Sequence, residues 1–120
     1  MRLLLRAIAL LSALALPEGA LAHAFLDRAV PAVGSKVHGR PAKMRLRFSQ
    51  PLEPAFSTIR VVDAGGHQVD RKDKQLDPAD ASVLKVSLPR LAPGVYRVLW
   101  RVLSADTHVT EGDYSFEVVP

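Results

Sequence analysis

The strongest constraint on how this chain can fold is a period of two in its apolar residues. Over 95–103, Tyr96, Val98, Trp100 and Val102 alternate with a polar set that includes Arg97 and Arg101. Over 43–50, Met44, Leu46 and Phe48 alternate with Arg45, Arg47 and Ser49. Leu84, Val86 and Leu88 repeat the pattern over 82–88, as do Tyr114, Phe116 and Val118 after Gly112-Asp113. Successive side chains of an extended chain project to opposite faces, so each segment has one apolar and one polar face. That is a half-buried strand, and a polar outer face on every strand favours antiparallel sheets packed on one side only.

The intervening segments supply more strands and their turns. Residues 24–30 read as an edge strand that Pro31 and Gly34 break. Pro51 and Pro54 punctuate a loop, and 58–63 is a strand with Ile59 and Val61 on one face. Gly65-Gly66 predicts a tight hairpin with 67–70 as its return strand. The polar stretch 71–81, with Asp77-Pro78, predicts a loop, and Pro93-Gly94 turns the chain into its longest strand. The sum is about seven short strands and no convincing helix, which predicts an all-β, immunoglobulin-like antiparallel β-sandwich.

Residues 1–22 read as a secretory signal peptide. Arg2 and Arg6 give a positive start, 7–16 a short apolar run, and Ala20-Leu21-Ala22 a small-x-small cleavage site. The 98 residues of 23–120 are then one domain, large enough to bury a core. No second apolar run follows, so no membrane insertion of the mature chain is expected. There is no cysteine, so the core must stand without disulfides and thiolates are excluded as metal ligands. Net charge is +4, or +3 once Arg2, Arg6 and Glu18 of the leader are set aside. Acidic residues are interspersed with the basic ones, which argues against nucleic acid as a partner.

Cleavage after Ala22 makes His23 the first residue, with a free α-amine beside its imidazole. Amine and Nδ1 together can chelate one metal ion. Asp106 and His108 lie two apart between the last two strands, and in extended chain would project to the same face. Three nitrogens and one oxygen in a near-planar set suit Cu(II), while Zn(II) could take the same donors tetrahedrally. His38 and His67 lie in loop and turn contexts and read as surface residues. Trp100 faces the core by alternation, and Arg97 and Arg101 read as a solvated stripe.

Several blocks in order resemble the CopC family of periplasmic copper-binding (copper resistance) proteins. They are His23-Ala24-Phe25-Leu26, Pro31-Ala32 with Gly34-Ser35, Leu46-Arg47-Phe48-Ser49, and Tyr96-Arg97-Val98-Leu99-Trp100. Ser104-Ala105-Asp106-Thr107-His108 and Gly112-Asp113-Tyr114-Ser115-Phe116 complete the set. The resemblance covers 23–120 and implies a Greek-key β-sandwich. It also implies one Cu(II) ion held by His23, Asp106 and His108, a periplasmic location, and sequestration or delivery of copper. An inner-membrane copper transporter is the partner it suggests, with the carrier itself a monomer and not an enzyme. Two departures stand out. Met44 is the only methionine beyond Met1, so no methionine-rich Cu(I) site is expected. Gln50 takes a position where relatives carry an acid near the copper, able to hydrogen-bond there without adding charge.

Two other readings compete. An N-terminal histidine with a second histidine also forms the brace of copper-dependent oxidative enzymes, although Asp106 would fill a position that oxygen needs. A metal-free, secreted immunoglobulin-like interaction module would make His23 incidental.

Overall fold

The computed structural model describes residues 24–120, so the proposed leader and His23 lie outside the described residues. Among the described residues, eight strands form two four-stranded sheets. In chain order they are β1 (Leu26–Val30), β2 (Lys36–His38), β3 (Lys43–Phe48), β4 (Thr58–Val62), β5 (Gln75–Asp77), β6 (Asp80–Ser87), β7 (Gly94–Leu103) and β8 (Val109–Val119). One sheet has the order β1-β3-β6-β5 and the other β2-β8-β7-β4. The expected β-sandwich is present, with one strand more than the periodicity predicted.

Alternation decides which side of each sheet is covered. Met44, Leu46 and Phe48 of β3, and Tyr96, Val98 and Val102 of β7, are all buried. Val61, Leu84, Val86, Tyr114, Phe116 and Val118 meet them from the neighbouring strands to form one core. Each such side chain contributes roughly 1.5–3 kcal/mol by leaving water. Trp100 faces the same way but is only half-buried. Its indole lies between Phe48 and Tyr114, with ring centroids 6.1 and 6.2 Å away.

Three features differ from the sequence reading. The 67–70 return strand does not form. The turn itself is made, with Asp63 N–H donating to the His67 carbonyl at 2.9 Å, but the ladder stops at a single bridge, Val62 to Gln68. Beyond it a side chain takes over: the buried Asp70 carboxylate accepts the Val61 N–H at 2.9 Å. Second, β5 occupies part of the expected 71–81 loop, with Leu76 in register with Leu84. Three residues are too few to show a period. Third, β2 pairs in parallel with β8, so the sandwich is not wholly antiparallel.

Candidate metal centre

The site lies at the end of the sandwich where β7 passes into β8. Ser104, directly after β7, has no exposed surface. Its N–H donates to the His108 carbonyl at 2.9 Å, and the Thr107 N–H donates back to the Ser104 carbonyl at 2.8 Å. This closes a tight turn over 104–108. A second tie joins it to the loop after β3, where the Ala105 N–H donates to the Pro51 carbonyl at 2.9 Å.

Asp106 and His108 are brought together by that turn and not by strand alternation, which corrects the extended-chain reading of their spacing. Thr107 adopts φ 72°, the left-handed region, and this reversal swings the two flanking side chains onto one side. His108 Nδ1 approaches Asp106 Oδ1 to 3.4 Å, and each side chain is 44% exposed. The Ser104 hydroxyl donates to the same Oδ1. That hydrogen bond is the main reason the Asp106 carboxyl stays below its ordinary value of 3.8; His108 adds to the effect and desolvation opposes it. Asp106 is therefore an anion at any pH near neutrality, with Oδ2 taking neither contact. When His108 Nδ1 carries the proton toward Asp106, Nε2 keeps its lone pair for a metal.

The start of the described chain is fastened to this same end. Thr110 Oγ1 donates to the Ala24 carbonyl at 2.6 Å, across 86 residues of sequence. Phe25 N–H donates to Ser49 Oγ at 2.9 Å, and Ser49 N–H returns to the Phe25 carbonyl at 2.9 Å. Gln50, half-buried, follows Ser49 directly and precedes Pro51. Among the described residues no three His, Cys, Asp or Glu side chains gather as a metal site, so Asp106 and His108 form a pair. Their expected companion, His23, lies outside the described residues.

Other residues singled out from the sequence fall elsewhere. His38 is exposed on β2, and His67 is 81% exposed beside Asp63. Arg97 and Arg101 face solvent and pair with Asp113 and Glu111, at 2.7 and 3.6 Å. Met44 is wholly buried in the core. Sequence reasoning missed Ser104 and Thr110. Ser104 lies two residues before Asp106, a local signal, whereas the role of Thr110 depends on a contact 86 residues away.

The whole of this sandwich, residues 26–119, matches the family model described as the CopC domain. The chain belongs to the CopC family. It is 38% identical to CopC from Methylosinus trichosporium OB3b, whose crystal structure it matches with a TM-score of 0.77 over 82% of this chain and 95% of that one. It is 32% identical to PcoC, a methionine-rich copper resistance protein from Escherichia coli, with a TM-score of 0.70 over 81% of this chain and 99% of that one. The copper transport protein CutJ of Bacillus subtilis (strain 168) is 30% identical over 112 residues, which are 92% of this chain; the chain spans only 21% of that protein's length. These relatives include copper resistance and copper transport proteins by name.

Proposed function

We propose that this chain is a periplasmic Cu(II) carrier. It binds one ion through the amine and imidazole of His23 with Asp106 and His108, and it sequesters copper or hands it to an inner-membrane transporter. The observation that carries the reading is the convergence of two distant segments on one end of the sandwich. Thr110 holds Ala24, the residue that follows His23, two strand positions from His108. A residue joined to Ala24 has its Cα about 3.8 Å from that of Ala24, which supports a site shared between the chain start and the 104–108 turn. The donors are nitrogen and anionic oxygen, and copper(II) outcompetes the other first-row ions for such sets.

Binding and not catalysis is the activity proposed. A carboxylate as fourth donor occupies the position an oxygen-activating centre would leave open. The signal-peptide pattern read in residues 1–22 supports export. The copper transport protein CutJ, in which such a domain makes up about a fifth of the chain, supports delivery to a transporter. The test is Cu(II) titration of the protein beginning at His23 beside Asp106→Ala and His108→Ala. The expected result is one ion per chain in the parent and a large loss of affinity in each variant. Unchanged affinity in both variants would sink the proposal, and peroxide produced by the reduced copper form would favour an enzyme.

A further inference from the structure

The geometry points to two hydroxyls, those of Ser104 and Thr110, as positioning residues that hold the copper donors in their binding arrangement before the ion arrives. The inference rests on the carrier reading and goes beyond it, because neither hydroxyl is offered as a ligand.

Ser104 is a buried polar side chain at the root of the turn, where its backbone also bridges to Leu52. A hydroxyl has one proton to give. The Asp106 carboxylate takes it, in preference to the neutral His108 carbonyl 3.1 Å away, because an anionic acceptor makes the stronger bond. The oxygen in turn accepts the His108 N–H at 3.2 Å. One side chain therefore ties the carboxylate of one donor residue to the backbone of the other. Without it, Asp106 could rotate about its side-chain torsions and leave the 3.4 Å approach to His108.

Thr110 does the corresponding work for the chain start. It lies on β8, opposite Val102 in the ladder, so its backbone is fixed by sheet pairing. Its hydroxyl reaches the Ala24 carbonyl at 2.6 Å. Ala24 is completely buried, so the contact sits at the base of the site and not on its rim. The Ser49–Phe25 pair of hydrogen bonds fixes the next residue, Phe25, to the end of β3. Groups that orient metal ligands commonly contribute about 10–100-fold to affinity.

The experiment is competitive Cu(II) titration and frozen-solution EPR on the chain beginning at His23. The variants are Ser104→Ala, Thr110→Val, Thr110→Ser, the double variant Asp106→Ala/His108→Ala, and Tyr114→Phe. Tyr114 donates a buried hydrogen bond to Pro31 at 2.8 Å, at the other end of β1, so its loss tests stability alone. Ser104→Ala and Thr110→Val should each weaken binding by about 10–100-fold and broaden or split the EPR signal. Thr110→Ser should restore the parent affinity and spectrum, and Tyr114→Phe should lower the melting temperature with copper binding intact. If the parent binds tightly and both hydroxyl deletions stay within about 2-fold of it, the positioning role is wrong while the carrier reading stands. If the parent binds no better than the double variant, the carrier reading fails and takes the inference with it. Should Ser104→Ala not fold, Thr110→Val and its serine rescue decide alone.

Discussion

Replacing Gly112 with alanine tests how tightly Trp100 is packed against the core. Gly112 is the ladder partner of Trp100, and both face the core side of their sheet. A Cβ added there would lie 2.5 Å from Trp100 Cζ2, 2.9 Å from Cη2 and 3.1 Å from Cε2. Carbon atoms in comfortable contact stand about 3.5–4.0 Å apart, so the indole must retreat by about 1 Å. It has little room to do so, because Phe48 meets it edge-on and Tyr114 lies on another side. Overpacking of this kind costs about 1–3 kcal/mol. In a domain of this size each kcal/mol lowers the melting temperature by about 4–8 °C, so Gly112→Ala should melt roughly 4–24 °C early. Trp100 is the only tryptophan, and its emission reports the displacement directly. Thermal unfolding followed by circular dichroism and by fluorescence gives both readouts. The double variant Trp100→Phe/Gly112→Ala should recover at least about 1 kcal/mol relative to additive losses. A Gly112→Ala protein melting within about 2 °C of the parent, with unshifted emission, would refute the packing described.

Three further results are expected. Copper affinity should fall steeply from pH 8 to pH 5, because amine and imidazole nitrogens must lose their protons to bind the ion. Asp106 plays no part in that fall: its carboxyl lies below 3.8, so the stability it contributes is fully present above that value and is lost only as pH drops through its lowered pKa. Flat affinity over that range in a competitive titration would rule out this donor set. At Thr107, the positive φ costs a β-branched residue about 1–2 kcal/mol, and glycine forfeits about 0.5–1 kcal/mol of that gain through unfolded-chain entropy. Thr107→Gly also loses the hydroxyl contact to the Asp106 carbonyl, about 0.5–1.5 kcal/mol, and should therefore stay within about 1.5 kcal/mol of the parent and above the valine variant. Thr107→Val keeps the strain, loses the hydroxyl contact to the Asp106 carbonyl, and should cost about 0.5–1.5 kcal/mol. Denaturant unfolding that ranks glycine below valine would contradict this.

The sandwich was legible because its long strands carry their own period. Met44-Leu46-Phe48 and Tyr96-Val98-Val102 could face only one way once extended, and the core is built from them. Short strands escaped for the same reason in reverse. Lys36–His38 and Gln75–Asp77 are held by partners distant in sequence, β8 and β6, and three residues display no alternation. The 67–70 segment misled because Gly65-Gly66 does make the turn, and nothing local shows that Asp70 will satisfy the β4 backbone in place of a strand. At the site, the pairing of Asp106 with His108 was readable from spacing, but its cause was not. A β-branched threonine at φ 72° is an exception to local preference, enforced here by the Ser104–His108 closure. The Thr110–Ala24 bond spans 86 residues, a separation no local pattern can anticipate.

In the proposed carrier, copper is gripped at a free N-terminal His23. This grip is tested most directly by titrating Cu(II) against two proteins, one beginning at His23 and one with a single glycine added before it. The extension keeps every side chain and moves the free amine away from the imidazole. The extended protein should lose about two orders of magnitude or more in affinity, since a chelate held in place is replaced by separate donors. Equal binding by the two proteins would contradict the N-terminal grip.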